Sequence, residues 1–280
     1  MEKKAMIGIG VVVLVIAGFI GGYALLSKPI VITVKGSTTV QPVITKIAEA
    51  YMDENVLKKY DIQVSGGGSS VGVASAGNGT ADIGMSSRDV KQSELDQFQG
   101  MKVIPIAKDG IAIISNLDVN VTTLTLTELK SIYNGSITNW NQLGGPDKAI
   151  VVIGRDSASG TREFFYEHVM LKTNFTTSMI EANSNGMVKQ QVISNPGSIG
   201  FVGLGYISNE TRTIAIKANS TADAIIPSIQ SVKNDTYSIS RSLYLLTMGE
   251  PQGEIKAFID YVLSAKGQQI VEQEGFVSVI

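Results

Sequence analysis

The chain has 280 residues, of which 44% are apolar and 17% are charged, so it is long enough to form two lobes around hydrophobic cores. A formal net charge of -2 at pH 7 and an aromatic content of 6% argue against nucleic-acid binding, which favours a basic surface and aromatic rings for base stacking. The lack of cysteine excludes disulfides, thiolate metal sites, cysteine nucleophiles and lipid attachment through a cysteine.

The amino-terminal segment predicts contact with a membrane. Lys3 and Lys4 precede an uncharged run at residues 5–26, which as a helix rising about 1.5 Å per residue would cross a hydrocarbon core of about 30 Å. Secretory signals have shorter apolar cores, so we interpret residues 1–28 as an uncleaved membrane anchor in preference to a cleaved signal segment. The two lysines favour a cytoplasmic amino terminus, so the rest of the chain is expected on the extracytoplasmic face, or secreted if the leader is cleaved.

Asn-x-Ser/Thr sequons are unusually frequent in the exported part. They begin at Asn78, Asn120, Asn134, Asn174, Asn209, Asn219 and Asn234. Seven of the fourteen asparagines start a sequon, whereas about two would be expected by chance. The excess indicates N-glycosylation outside the cell.

Three segments of the exported part share one pattern. In each, a short β-branched run is followed by a loop of glycine and hydroxyl residues and then by a helical pattern, which is typical of βα units in a largely parallel sheet. The predicted strands cover residues 30–34, 62–64 and 150–153, the loops residues 36–39, 66–70 and 154–161, and the helices continue through residues 42–51, 73–76 and 164–169. The pattern therefore predicts an α/β fold.

The three loops have the composition of anion-binding loops. The first backbone N–H groups of a helix have no intrahelical partner and lie at the positive end of its dipole, and Ser and Thr hydroxyls add further donors. A single loop of this kind is most often only a helix cap or a turn. Three in one chain, the third containing Arg155, favour an oxyanion site in one crevice at the carboxyl ends of the strands.

A long amphipathic helix is predicted near the carboxyl end, after Gly249 and Pro251. One face of this helix carries only apolar side chains, and we expect that face to pack in the core. The face comprises Ile255, Phe258, Ile259, Val262 and Leu263.

Five motifs, taken in order along the chain, resemble the motif series of phosphate-binding proteins of ABC importers. They are GSTTVQP at residues 36–42, GGSSVG at 67–72, DIGMSSR at 82–88, RDSASGTR at 155–162 and SNPGSIGFV at 194–202. Each motif alone is unspecific, whereas the ordered set is specific, and the resemblance extends from about residue 31 to the carboxyl end.

The resemblance implies a two-lobed α/β fold of the periplasmic-binding-protein type II class. Each lobe would be a mixed, mostly parallel sheet with flanking helices, preceded by the amino-terminal transmembrane helix. The lobes would close like a hinge on one inorganic phosphate, without a metal or cofactor. The implied phosphate-binding residues are Thr38, Thr39, Ser69, Ser87, Arg155, Ser159, Gly160 and Thr161, with Ser37 and Arg88 as further candidates. The implied partners are ABC permease subunits, and we expect a monomer.

The sequence departs from the family pattern at one position. An aspartate that accepts the proton of hydrogen phosphate in this family is replaced here by Ser87, which brings no charge repulsion against sulfate, so the basis for rejecting sulfate is open. Arg88 is interpreted either as a second charge for the anion or as a surface partner of Asp82 or Asp89. Asp156 is interpreted either as a residue that orients the neighbouring arginine or as a turn residue.

No linker marks the boundary between the lobes, which indicates that strands cross between them. We assign residues 31–108 together with 240–280 to the first lobe and residues 109–239 to the second. The crossings are predicted near 106–110 and 238–243, with the third loop on the lobe opposite the first two.

Three alternative functions are considered, of which the first is also a binding protein and the others differ in class. A binding protein for another tetrahedral anion, such as sulfate, molybdate or tungstate, would use similar loops. A secreted serine hydrolase would use Ser159 or Ser70 as nucleophile, but the single histidine, His168, has no evident acidic partner. We therefore do not expect an enzyme. A sensory or adhesive surface protein that has kept the binding fold is the remaining alternative.

Overall fold

A computed structural model describes residues 28–280 of the chain. The predicted anchor at residues 1–28 therefore lies, except for Lys28, outside the described residues. Among residues 28–280, no helix is both long and apolar enough to cross a membrane.

Residues 28–280 form an α/β structure with ten strands and nine α-helices. The strands are β1 (Ile30–Gly36), β2 (Tyr60–Ser65), β3 (Ile83–Ser86), β4 (Met101–Ser115), β5 (Thr123–Thr125), β6 (Val151–Arg155), β7 (Ile180–Ala182), β8 (Ser198–Gly203), β9 (Arg212–Lys217) and β10 (Ser240–Met248). The helices are α1 (Gln41–Glu54), α2 (Ser69–Gly77), α3 (Gln92–Gln97), α4 (Leu126–Tyr133), α5 (Gly160–His168), α6 (Asn185–Ser194), α7 (Ile229–Lys233), α8 (Gly253–Leu263) and α9 (Ala265–Gln273). Short 3₁₀ helices cover Val56–Lys58, Trp140–Leu143 and Leu204–Tyr206.

The strands follow the order β2-β1-β3-β10-β4-β8-β6-β7, and β9 links β5 to β4. On one side, β1 pairs in parallel with β2 and β3, and β10 runs antiparallel to β3 and β4. On the other side, β6 pairs in parallel with β7 and β8. The long strand β4 contacts β10 through residues 101–110 and β8 through residues 111–115, so it continues from the first lobe into the second.

Each lobe has a hydrophobic core of its own. The first core brings the buried face of α1 together with β1, β2 and α8, and includes Ile32, Ile47 and Phe258. The second core is centred on aromatic side chains, with the rings of Phe165 and Phe201 stacked at a centroid distance of 4.4 Å. Two separate cores allow the lobes to move as units.

The three predicted βα units are confirmed. β1 and β2 cover the predicted strands, and β6 begins one residue later than predicted, at Val151. Each strand is followed by a loop and by a helix, α1, α2 and α5 respectively. Pro42 lies in the first turn of α1, where its missing N–H costs no hydrogen bond.

The predicted long helix near the carboxyl end is two helices. Its apolar face is buried at Phe258, Ile259 and Val262, as expected. Ser264 ends α8 in an extended conformation, and its hydroxyl accepts a hydrogen bond from the N–H of Gly267 (3.2 Å), which caps α9. The cap starts a second helix where hydrophobic periodicity alone suggested continuation.

The seven sequon asparagines lie at the surface. Six are exposed and Asn134 is half-buried. The N-glycosylation expected from the sequons stays a prediction.

Candidate functional site

The three glycine and hydroxyl loops face one another between the lobes. The loop between β1 and α1 and the loop between β2 and α2 come from the first lobe, and the loop between β6 and α5 comes from the second. The lobes are in contact here, since the N–H of Ser70 donates to the carbonyl of Ala158 (3.2 Å) and the hydroxyl of Tyr206 donates to the carbonyl of Thr38 (2.8 Å).

All eight residues predicted to bind the anion lie at this interface. We call them the inner site. They are Thr38, Thr39, Ser69, Ser87, Arg155, Ser159, Gly160 and Thr161, and each is buried. Their proximity supports the predicted set, while the contribution of each residue to binding stays a prediction.

The first loop places two threonines at the start of α1. Ser37 precedes them, and its hydroxyl accepts hydrogen bonds from the N–H groups of Thr39 (3.2 Å) and Val40 (3.4 Å). Ser37, named as a further candidate, thus orders the loop and holds Thr38 and Thr39 in place.

Ser69 and Ser87 form a pair of buried hydroxyls. The N–H of Ser87 donates to Ser69 Oγ (2.9 Å), and the two hydroxyl oxygens are 3.2 Å apart, so that either can donate to the other. Ser69 is also the first residue of α2, where its backbone N–H has no intrahelical acceptor.

The second lobe contributes the amino-terminal end of α5. Ser159 caps this helix by accepting from the N–H of Arg162 (3.2 Å), and Gly160 and Thr161 are its first two residues. Position 160 requires glycine because the lobes approach each other closely here. A Cβ at this position would lie 2.7 Å from Ser69 Cβ and 3.0 Å from Ser87 Oγ. The start of this helix, where backbone N–H groups lack intrahelical acceptors, therefore packs against the hydroxyls of the first lobe.

Arg155 is the charged group of the inner site. It is 1% exposed, and its guanidinium donates to the carbonyls of Ala182 (3.1 Å) and Asn183 (3.2 Å) and to Thr38 Oγ1 (3.2 Å). Among residues 28–280, no carboxylate lies within ion-pair distance of it. Burial lowers the pKa of Arg155 to about 10, against the opposing effect of the Asp156 charge, so the side chain is protonated at neutral pH.

Asp156 does not hydrogen-bond the guanidinium of Arg155 within the described part of the chain. Its Oδ1 is buried without a partner there, while its backbone N–H donates to the carbonyl of Ala182 (3.1 Å) and its carbonyl accepts from the N–H of Ser159 (3.2 Å). Of the two interpretations of Asp156, these contacts favour the turn residue.

Arg88 is buried at the edge of the interface, and neither expected surface pairing is correct. It forms a bidentate pair with Glu94 (2.7 and 2.8 Å), and its Nε lies 2.7 Å from Glu163 of the second lobe. Lys91 also contacts Glu163 (2.5 Å), and we call these four residues the rim network. The carboxylate of Asp82, one expected partner, accepts instead from the N–H and hydroxyl of Thr33.

The carboxylates of the rim network stabilise the charged form of Arg88. Burial alone would lower the pKa of Arg88, but the bond to Glu94 and the charges of Glu163 and Glu94 raise it above its usual value. The positive charge of Arg88 is thereby compensated by protein groups, which leaves Arg155 as the cation available to an anion.

Two further groups at the inner site escaped prediction. Asn185, the first residue of α6, is fully buried and donates to Thr38 Oγ1 (3.2 Å) and Thr39 Oγ1 (3.0 Å). Arg241 donates to Thr39 Oγ1 (3.3 Å) and is ion-paired with buried Asp109 (2.9 Å). Two sequence signals could have identified these residues. Asn185 belongs to a polar segment, residues 183–186, that precedes a helical run, and Arg241 is a lone arginine within the apolar strand β10.

Among residues 28–280 the geometry offers no metal centre, and the single histidine lies away from Ser159. No group of three or more His, Asp or Glu side chains is arranged there to hold a metal ion. His168 is exposed at the last residue of α5, stacked on Phe164 at 4.0 Å, and helix geometry places it about 13 Å from Ser159 at the other end.

The chain is similar to known proteins over nearly its whole length. A family model described as the PBP superfamily domain matches residues 26–266. The phosphate-binding protein PstS of Borreliella burgdorferi is 33% identical, covering 89% of this chain and 90% of that protein, and PstS of Bacillus subtilis is 31% identical, covering 89% and 80%. A crystal structure from Clostridium perfringens, described as a putative phosphate ABC transporter substrate-binding protein with bound phosphate, has a TM-score of 0.83 and 35% identity, covering 90% of this chain and all of that one.

Proposed function

The chain belongs to the PBP superfamily and, within it, to the PstS phosphate-binding proteins, and on that premise we propose that it binds inorganic phosphate between its lobes and delivers it to an ABC importer. The resemblance and the two-lobed α/β fold predicted from the sequence motifs are confirmed.

The observation that carries the proposal is the environment of Arg155. A buried cation without a carboxylate partner is costly unless an anion compensates it. Around this cation lie hydroxyls and the helix ends of α2 and α5, which donate hydrogen bonds but carry no formal charge. Such a set can hold a multiply charged tetrahedral oxyanion in a site closed to water.

The roles of the inner-site residues follow from the groups that they present. Thr38, Thr39 and Ser69 would donate from the first lobe, and the second lobe would contribute the charged bond of its arginine and the donors at the start of α5. Ser87, beside Ser69, would accept a hydrogen bond from the single protonated oxygen of hydrogen phosphate. Arg88 would hold the rim of the closed form rather than the anion, because Glu94 and Glu163 compensate its charge.

We propose that binding closes the two lobes. The lobe boundaries remain those predicted, residues 31–108 with 240–280 and residues 109–239, with the crossings near 106–110 and 238–243. Strand β4 supports the first crossing, since its partner changes from β10 to β8 between residues 110 and 111. The inner site is buried, and hydrogen bonds join residues of different lobes across it. An anion can enter only when these bonds are broken, so we expect the free form to be more open.

The cellular setting is also a proposal. We place the protein on the extracytoplasmic face, held by the amino-terminal segment, with permease subunits as partners. Deletion of the gene should reduce uptake of labelled phosphate at low external phosphate, and the full chain should restore it. Unchanged uptake would contradict delivery to a phosphate importer.

We propose binding without catalysis. The alternative of a serine hydrolase at Ser159 needs a base, and the single histidine lies at the far end of α5. Replacement of His168 by alanine should leave phosphate affinity and any hydrolase activity of the purified chain unchanged.

Titration calorimetry on the purified chain with phosphate, sulfate and tungstate tests the choice of anion. We expect micromolar or tighter binding of phosphate and much weaker binding of sulfate. Tight binding of sulfate or tungstate without phosphate binding would overturn the proposal and would favour a binding protein for another oxyanion. Ser87 gives that alternative its basis, since it brings no negative charge against sulfate.

A further inference from the structure

The hydroxyls of Thr38 and Thr39 lie at the centre of a network whose hydrogen-bond directions can be counted. A threonine hydroxyl accepts through two lone pairs and donates one hydrogen. Thr38 Oγ1 accepts from Arg155 Nη2 (3.2 Å) and from Asn185 Nδ2 (3.2 Å). Thr39 Oγ1 accepts from Asn185 Nδ2 (3.0 Å) and from Arg241 Nη2 (3.3 Å), and it also lies 3.2 Å from Thr161 Oγ1.

With both lone pairs occupied, each of the two hydroxyls can only donate its hydrogen. The hydrogen of Thr39 can go to Thr161 Oγ1 or to the anion, whereas that of Thr38 has no acceptor among residues 28–280. Arg155 and Arg241 can never accept a hydrogen bond, so the direction of their bonds is fixed by chemistry. Asn185 supplies the remaining bond to each hydroxyl, and removing it would free one lone pair on Thr38 and one on Thr39.

The orientation of the Asn185 amide is itself determined. Its Oδ1 accepts from the backbone N–H of Gly203 (3.2 Å), which places the NH₂ group toward the two threonines. The residue opens α6 directly after Ser184, whose hydroxyl caps the helix by accepting from the N–H of Met187 (3.2 Å). A buried, capped helix end therefore holds the amide in one position.

From these contacts we propose that Asn185 is a positioning residue that fixes Thr38 and Thr39 as donors and thereby selects the protonation state of the bound anion. The proposal rests on the proposed function and deepens it. An anion oxygen that faces Thr38, or that accepts the hydrogen of Thr39, must be free of protons, so the site favours hydrogen phosphate with one proton over dihydrogen phosphate with two.

The hydroxyls of Ser69 and Ser87, unlike those of Thr38 and Thr39, are not fixed as donors. Ser69 Oγ accepts from the N–H of Ser87 (2.9 Å), and the bond between the two serine hydroxyls can run in either direction. The pair can therefore accept one hydrogen bond from a protonated oxygen of the anion. One adaptable side and one donor-only side together match an anion that carries a single proton.

The selection is coupled to closure of the lobes. By the proposed lobe boundaries, Asn185 and Arg155 belong to the second lobe, and Thr38 and Thr39 to the first. Bonds from Asn185 to the threonines exist only when the lobes meet, so the donor-only state of the hydroxyls forms as the anion is enclosed.

Other titratable groups near the threonines come from β4, β6, β10 and the 3₁₀ helix at Leu204–Tyr206. They are Asp109, Arg155, Arg241 and Tyr206, and Asp156 lies next to Arg155 in sequence. All of them are shared by the wild type and a variant at position 185. A ratio of dissociation constants between the two proteins therefore isolates the contribution of the asparagine.

The test is phosphate titration calorimetry of wild type and Asn185→Ala between about pH 5.5 and about pH 8.5. Wild-type affinity should fall about tenfold per unit below the second pKa of phosphate, because the dianion is depleted. The variant should bind about 5- to 30-fold more weakly at high pH, through two lost neutral hydrogen bonds. The ratio of variant to wild-type Kd should then shrink several-fold toward pH 5.5, since the freed lone pairs can accept a hydrogen bond from the second protonated oxygen of dihydrogen phosphate.

Asn195→Ala is the matched control, because Asn195 closes the same helix and donates to the carbonyl of Gln191 (2.7 Å) away from the inner site. It should bind phosphate as the wild type does at each pH. Asn185→Leu, which keeps the side-chain volume, replaces the alanine variant if that one does not fold. If the wild type binds phosphate but the ratio of variant to wild-type Kd stays constant with pH, the role of Asn185 is overturned. If the wild type binds no phosphate, the proposed function itself is overturned.

Discussion

The inner site and the rim network each contain a buried arginine, at 1% exposure for Arg155 and 3% for Arg88. They differ in their partners. Arg88 contacts the carboxylates of Glu94 and Glu163, whereas Arg155 contacts carbonyl groups and a threonine hydroxyl. A buried arginine paired with carboxylates joins parts of the protein, and one surrounded by neutral donors and acceptors is available for an external anion.

The largest effect is expected from Arg155→Ala. Loss of a charged hydrogen bond in a site closed to water should weaken phosphate binding by about 3 kcal/mol, more than a hundredfold. Calorimetry measures the loss, and Arg212→Ala is a control because that guanidinium donates to the carbonyls of Val119 and Leu117. An equal loss in Ser159→Ala would contradict the assignment of Arg155 as the main anion ligand.

Gly160→Ala should have the next largest effect. The added Cβ would lie 2.7 Å from Ser69 Cβ, so the lobes could not close fully, and overpacking of this kind costs about 1–3 kcal/mol. Gly186→Ala is the matched control, since that glycine also lies in the first turn of a helix and its added Cβ would have no neighbour within 4 Å. Phosphate affinity should fall about tenfold in the first variant and stay unchanged in the second; equal affinities would show that closure is less tight than described.

Thr161→Val removes one neutral hydroxyl and keeps the side-chain shape. The hydroxyl oxygen of Thr161 lies 3.2 Å from that of Thr39, so its removal should weaken both the binding of the anion and the contact between the lobes. The expected cost in phosphate binding is about 1 kcal/mol, roughly fivefold, well below that of the arginine. A loss as large as that of Arg155→Ala would contradict the distinction between charged and neutral ligands.

The rim network should affect stability more than binding. Burial alone would raise the pKa of Glu94, but the hydrogen bonds from Arg88 and from the N–H of Lys91 hold it below its usual 4.5. A carboxyl group whose pKa is lower in the folded state stabilises the protein above its unfolded pKa, and the stabilisation is lost as pH falls through the folded pKa.

Glu94→Gln should therefore lower the free energy of unfolding by about 1–2 kcal/mol at pH 7. The difference from the wild type should shrink below about pH 4.5, as the wild-type carboxyl group becomes protonated. Chemical unfolding at pH 7 and at pH 3.5 measures both values, and phosphate affinity at pH 7 should change by less than about threefold. A large loss of affinity with unchanged stability would place Arg88 and Glu94 in the anion site.

The inner site was largely predictable because its loops are local in sequence. Glycine and hydroxyl residues directly after β-branched strands mark β1, β2 and β6, and helix physics relates such loops to anions. Asn185 escaped prediction because the strand before its helix, Ile180–Ala182, has only three residues and gives no periodic signal.

The rim network was not predictable in the same way. Glu163 lies on α5 in the other lobe, and its contact with Arg88 depends on how the lobes meet, which no local pattern encodes. The expected carboxylate partners accept from other residues, Asp82 from Thr33 and Asp89 from Tyr244, and Arg88 contacts only the backbone carbonyl of Asp89 (2.8 Å). The division of the last helical segment at Ser264 depended on a single cap, which hydrophobic periodicity does not reveal.

A crystal structure of the purified chain with phosphate would test the central claim most directly. We expect one phosphate between the lobes, with guanidinium nitrogens of Arg155 about 2.7–2.9 Å from its oxygens and the N–H groups of Gly160 and Thr161 donating to it. Arg88 should keep its pairs with Glu94 and Glu163. A phosphate bound at Arg88, with Arg155 still occupied only by Thr38 and the carbonyls of β7 and its following loop, would contradict the account.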